Sequence, residues 1–249
     1  MLSRTQLRRW VDAFGVPADQ IERDHLVSHV LARLPEMPLD ATVFGGSALC
    51  RTHLPDRRLS EDIDLLVPAP ARAAEVLADR LPGLLKREHR GLSLRWERDR
   101  QTLVGTLAAA QLVLRIQLVT LDAGYRRYPS SDLPVLLRYD DLPEAVVLRC
   151  PTRTGAAAMK LNAWAERAAA RDLCDLLGLA EVNALDAAAV AAAAEAAAPL
   201  QSRQFDDARL PSEAAWQAAL RNQMRTVPPL DRALAVVRAA VADAAGWRT

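Results

Sequence analysis

At 249 residues the chain has room for one large domain or two small ones, and an apolar content of 51% excludes a disordered polypeptide. Aromatic residues at 4% leave few stacking platforms for single-stranded nucleic acid, and a formal net charge of +1 excludes a general attraction to polyanions. Any nucleic-acid contact must come from local patches.

Nearly all the basic residues are Arg. Lys occurs only at Lys86 and Lys160, so a Lys inside a motif stands out. Cys50, Cys150 and Cys174 are far apart and form no C-x-x-C pair, which fits a reducing cytosol. No signal peptide precedes the first helix, and no apolar run approaches the roughly 18 residues of a membrane span. The expectation is a cytoplasmic protein without membrane contact.

Apolar residues at helical spacing predict helices over Leu2 to Phe14 and Ala18 to Leu34, the second opened by Pro17 and closed by Pro35. His25 and His29 stand at i and i+4 within it, a spacing that can hold zinc. No third ligand is local and the H-E-x-x-H pattern is absent, so packing is the preferred reading.

A strand from Ala41 to Phe44 then meets the turn Gly45-Gly46, Ser47 opens a helix, and a polar connection through Arg57, Arg58 and Ser60 leads to Asp62-Ile63-Asp64-Leu65-Leu66. Side chains alternate along a strand, so Asp62 and Asp64 share one face. Two adjacent carboxylates repel unless a cation lies between them, and oxygen-only donors point to Mg²⁺ or Mn²⁺ rather than zinc. Glycines at a strand-to-helix turn let backbone amides approach phosphate. The two features together suit metal-assisted phosphoryl or nucleotidyl transfer.

An amphipathic helix from Ala69 to Leu81, stopped by Pro82-Gly83, precedes three strands: Ser93 to Glu97, Thr102 to Leu107 and Gln111 to Thr120. Turns are expected at Asp99-Arg100 and Ala109-Ala110. These elements describe a small mixed sheet with helices on one side. Lys86, Arg87, Arg90, Arg95, Arg98 and Arg100 lie among acidic residues, as a solvated face or an RNA-contacting patch.

Asp122 to Cys150 reads as an irregular connection with one short strand at Val146 to Leu148, and it carries Arg126, Arg127, Arg138 and Arg149; the basic residues from Arg126 to Arg153 join those from Lys86 to Arg100 as the candidate RNA-facing surface. A domain boundary is placed at Pro151, giving domains 1–150 and 151–249. The second is helical and Ala-rich, with helices over Thr152 to Trp164, Arg171 to Leu177, Leu185 to Ala198, Ser212 to Met224 and Pro229 to Ala245. Trp216 and Trp247 are read as packing residues.

On one unbroken helix Lys160, Arg167, Arg171 and Asp175 would share a face, yet Lys160 and Asp175 would stand roughly 22 Å apart. If both serve one nucleotide, the helix must break between Glu166 and Ala170. Asp172 and Asp175 can present carboxylates together, and Arg171 can pair with Asp175; ordinary surface salt bridges would also produce this pattern.

Ile21 to Leu26, Phe44-Gly45-Gly46-Ser47-Ala48-Leu49, Arg58-Leu59-Ser60-Glu61-Asp62-Ile63-Asp64-Leu65, Lys160 and Arg171-Asp172-Leu173-Cys174-Asp175-Leu176 closely resemble the AbiEii/MenT family. These are nucleotidyltransferase-like toxins of bacterial toxin-antitoxin and abortive-infection systems. The resemblance covers roughly Ala18 to Leu177. It implies an α+β fold, a polymerase-beta-like nucleotidyltransferase domain followed by a helical one.

It also implies that Gly45, Gly46 and Ser47, with Arg58 and Ser60, bind the NTP, that Asp62 and Asp64 bind Mg²⁺, and that Lys160 and Arg171 contact the nucleotide. Asp175 would complete the acidic site as base toward an acceptor hydroxyl. The implied reaction is transfer of NMP to the acceptor end of tRNA, blocking translation, with a cognate antitoxin as restraint. One position departs from the superfamily pattern: Gln117 stands where a third carboxylate is expected, and an amide cannot serve as a base. Two other readings stay open, a small-molecule nucleotidyltransferase of the aminoglycoside-modifying kind and a binding module with a degraded site.

Overall fold

A computed structural model describes residues 2–100, 102–109, 112–206 and 209–247. Of the turn expected at Ala109-Ala110 the second residue falls outside the described residues, as does Gln111, the first residue of the strand expected after it, while Ala109 ends a strand. The protein is α+β and divides into two compact units, Met1–Asp122 with Ser131–Cys150 and Ala123–Ser130 with Pro151–Thr249.

The first unit opens with helices α1 (Arg4–Phe14) and α2 (Ala18–Arg33). A capping box between Ser3 and Gln6 starts α1, and Gly15 in the left-handed region ends it. Then come β1 (Thr42–Phe44), α3 (Gly45–Thr52), β2 (Asp62–Val67), α4 (Pro70–Leu84), β3 (Ser93–Asp99), β4 (Thr102–Ala109) and β5 (Leu112–Thr120). The five strands form one sheet in the order β1-β2-β5-β4-β3, mixed because β2 and β5 run parallel and the other pairs antiparallel.

Alternation decides which face is covered. Ile63 and Leu65 of β2 and Leu114, Ile116 and Leu118 of β5 are buried with Leu26, Val27, Val30 and Leu31 of α2 and Ala73, Leu77 and Leu81 of α4. Each large aliphatic side chain so buried is worth about 1.5–3 kcal/mol. On the other face Asp62, Asp64 and Gln117 are half-buried and Arg115 is exposed. The edge strand β3 exposes Arg95, Glu97, Arg98 and Asp99, charges that discourage pairing with another chain.

Two local expectations are corrected. α4 continues past Pro82 to Leu84, because a proline in a final turn removes a single hydrogen bond. The stretch from Asp122 to Cys150 is more regular than its sequence indicates: β6 (Ser130–Leu136) and β7 (Ala145–Pro151) form a two-stranded sheet. Pro134 within β6 disguises the strand, yet both strands of a two-stranded sheet are edges, where proline is tolerated.

The second unit contains α5 (Arg153–Arg167), α6 (Ala170–Glu181), α7 (Ala187–Ala196), α8 (Glu213–Leu220) and α9 (Leu230–Ala245). Thr152, Asp186 and Ser212 cap α5, α7 and α8 by accepting from backbone amides three residues on. Trp164, Phe205 and Trp216 are buried, and both indoles donate to backbone, Trp164 to Gln204 at 2.9 Å and Trp216 to Pro228 at 2.8 Å. α6 runs past the expected end at Leu177, through Gly178, to Glu181.

Candidate functional site

Phe44 of β1 pairs with Asp64 of β2, so the chain leaving β1 turns directly beside the acidic strand. Gly45 makes that turn at φ 69°, where a side chain would be strained, and a Cβ there would overlap Asp64 Oδ2. The carboxylate thus lies against a backbone that only glycine leaves uncovered. A Cβ on Gly46 would come within 3.0 Å of both Arg58 Nη2 and Ser60 Oγ, so these two side chains converge on the same turn.

The structure therefore brings together Gly45, Gly46, Ser47, Arg58, Ser60, Asp62 and Asp64, all in the first unit. α3 begins here without a side-chain cap, leaving its first amides to another acceptor. Ser47 Oγ donates to the Asp62 carbonyl, and Ser60 Oγ donates to the same oxygen at 3.3 Å. Both hydroxyls hold the start of β2 in place, a role the sequence did not disclose.

β5 extends the acidic face. Asp64 pairs with Gln117 and Asp62 with Arg115, so the amide stands beside one carboxylate and a cation beside the other. The sequence singled out Gln117; Arg115 was missed, because only the parallel register puts it next to Asp62. Two carboxylates and an amide carbonyl on one open face form an oxygen-only donor set, which fits a hard divalent cation.

In the second unit α5 stops at Arg167, Ala168 turns through the left-handed region at φ 48°, and α6 starts at Ala170. The break folds Lys160 back onto α6: its Nζ lies 2.9 Å from Asp172 Oδ1 and 2.7 Å from Asp175 Oδ2. Arg167 meets Asp172 through Nε at 2.7 Å and Nη2 at 3.0 Å. Burial alone would raise the Asp172 pKa, but Lys160 and Arg167 outweigh it and hold the carboxyl below its ordinary value. Arg171 is half-buried in the first turn of α6.

α2 is fixed by a buried charge network that no spacing announced. Asp24, wholly buried, accepts from Arg51 at 2.7 Å, from Arg138 at 3.2 Å and from the Tyr139 hydroxyl at 3.0 Å. Arg138 also donates to the Cys50 carbonyl and to that of Pro55 at 3.3 Å. Its side chain is 6% exposed, which removes it from the basic surface suggested by sequence. Burial works against its charge, but Asp24 more than compensates and raises its pKa.

The sequence profile of the family "Nucleotidyl transferase AbiEii toxin, Type IV TA system" matches residues 29–238. Among solved structures, the nucleotidyltransferase toxin MenT4 of Mycobacterium tuberculosis H37Rv is 19% identical, and the match covers 100% of this chain and 91% of that one with a TM-score of 0.69. A protein of H. pylori provisionally assigned to the nucleotidyltransferases is 15% identical over 89% of this chain and 92% of its own, with a TM-score of 0.52. At these identities the structural likeness concerns the fold. No curated protein matches.

The fold and the family profile define a nucleotidyltransferase. The chain belongs to the AbiEii family of nucleotidyltransferase toxins, the toxin component of type IV toxin-antitoxin systems. Its substrate class is therefore the nucleoside triphosphate, and an antitoxin is its partner in the system. Among the described residues no helix is long and apolar enough to cross a membrane.

Proposed function

We propose that this toxin transfers NMP from an NTP to the 3′ end of tRNA in the cytoplasm, dependent on Mg²⁺ or Mn²⁺, and blocks translation until its antitoxin restrains it. The observation that carries this reading is the pair Asp62 and Asp64, set on one open sheet face against the Gly45-Gly46 turn and an uncapped helix start.

Asp62 and Asp64, with the Gln117 carbonyl beside them, would hold the divalent cation. When bound it neutralises phosphate oxygens and lowers the cost of charge developing on the leaving group. The amides that begin α3 and the Arg58 guanidinium receive the triphosphate, and Ser47 and Ser60 keep Asp62 in position through its carbonyl. The acceptor oxygen bonds to the α-phosphorus, the bond from that phosphorus to the bridging oxygen breaks, and pyrophosphate leaves with the electron pair. The hydroxyl proton passes to a carboxylate, Asp175 by family resemblance. The same resemblance assigns Lys160 and Arg171 to the nucleotide. Lys86, Arg87, Arg90, Arg95, Arg98 and Arg100 are all exposed and supply the RNA-facing surface.

The test is to incubate the chain with labelled NTPs, total RNA and candidate small molecules, and to compare Asp62→Ala. Label should enter tRNA, and the variant should lose transfer by at least about a hundredfold together with growth inhibition, because charge stabilisation on this scale is worth several kcal/mol. Label entering a small molecule would replace tRNA as acceptor. Toxicity that survives Asp62→Ala would favour a binding module, the reading Gln117 leaves open.

A further inference from the structure

His25 and His29 lie one turn apart on α2, and the fold adds what the sequence around them lacks. His89, in the segment that follows α4, places a ring nitrogen within 4.8 Å of ligand nitrogens of both, and all three rings are at least 95% buried, at 2%, 1% and 5% exposure. Asp141, from the loop between β6 and β7, closes the group: its Oδ2 lies 3.0 Å from His25 Nε2 and 3.2 Å from His29 Nε2, while the two Nε2 atoms are 3.1 Å apart.

With Nε2 protonated on both rings, each donates to the Asp141 carboxylate, His25 reaching Oδ1 at 3.2 Å as well as Oδ2, so one carboxylate holds two imidazole nitrogens only 3.1 Å apart. His89 Nε2 is buried and, among the described residues, has no hydrogen-bond partner, a cost folding does not ordinarily accept. Burial, and next the neighbouring His29, lowers the pKa of His25 to about 4, and burial chiefly lowers that of His89 to about 4, so both rings are neutral at physiological pH with lone pairs to give.

We propose that His25, His29, His89 and Asp141 form a structural site for a zinc-class divalent transition metal, separate from the acidic face of β2. Three imidazoles and one carboxylate are donors that suit zinc and its first-row neighbours rather than Mg²⁺. Zinc–ligand distances of about 2.0–2.1 Å require tetrahedral edges of about 3.3 Å, and the triangle of 3.0, 3.1 and 3.2 Å lies within a few tenths of that spacing. Asp141, whose side chain is 36% exposed, is the route of entry. The ion would staple α2 to the segment after α4 and to the β6–β7 loop, three stretches that share no backbone pairing.

The test uses the full chain without an affinity tag, loaded with zinc, gel-filtered and assayed for bound metal, then repeated with cobalt. One zinc per chain is expected in the wild type and in the Asp62→Ala/Asp64→Ala double variant, with loss of stoichiometric zinc in His89→Gln and Asp141→Asn. Cobalt should show the intense visible bands of tetrahedral nitrogen and oxygen coordination. That measurement needs no variant, so it decides the matter even if the histidine variants fail to fold. A folded wild type that takes up neither metal, zinc retained in both His89→Gln and Asp141→Asn, or zinc lost only with Asp62 and Asp64 overturns the proposal.

Discussion

Gly45 shows how one residue couples backbone to chemistry. Its φ of 69° is a conformation in which a side chain costs about 1–2 kcal/mol, and its Cα lies against the Asp64 carboxylate. Gly45→Ala should lower stability by about that amount and depress nucleotide transfer further than the stability loss explains, since the new methyl displaces Asp64. Urea unfolding and transfer assays on the same preparation separate the two effects; full activity would show that the carboxylate needs no such contact. Asp172 provides a second prediction at this scale. Its folded-state pKa lies below the unfolded value of about 3.9, so its stabilisation is complete above that pH and is lost as pH falls through the lower folded value. Between about pH 5 and the acid end, the wild type should lose more stability than Asp172→Asn. Parallel curves for the two proteins would remove the Lys160–Asp172–Arg167 contacts from the account of acid sensitivity.

Among the elements, the decisive one is a break. Without the left-handed turn at Ala168, Lys160 and Asp175 would stand about 22 Å apart along a continuous helix, beyond the reach of their side chains; with it Lys160 Nζ lies 2.7 Å from Asp175 Oδ2. Alanine is a poor residue for φ 48°, and glycine there avoids the strain while costing more entropy on folding. Ala168→Gly should therefore raise stability by up to about 1 kcal/mol, read from the urea midpoint, and leave transfer unchanged. A fall in stability would mean that the turn is not held in this conformation. The need for a break could be deduced from Lys160 and Asp175, but its position could not, because Glu166 to Ala170 contains no glycine or proline. β6 stayed hidden for the opposite reason: Pro134 signals interruption where the ladder with β7 continues.

For the whole molecule, a net charge of +1 provides no general field to draw in RNA, so binding must come from a few local cations. With tRNA as acceptor, affinity should fall steeply with salt, by roughly 0.7–0.9 in the logarithm per phosphate contact for each decade of salt concentration. Charge reversal at Arg95 and Arg98 should flatten that slope. Affinity indifferent to salt would take tRNA contact away from this surface.

The sequence by itself determined the strand-turn-helix-strand unit, the shared face of Asp62 and Asp64 and the resemblance that names the family, because alternation, glycine turns and short motifs act between near neighbours. Tertiary structure decided which distant residues meet. The parallel register sets Arg115 beside Asp62 and Gln117 beside Asp64. Chain folding buries Asp24 with Arg51 and Arg138, and brings His89 and Asp141 to the pair His25 and His29. Spacing along a chain cannot encode such meetings. They follow from which faces of the helices and the sheet are buried together, a property of the packed core rather than of any one segment.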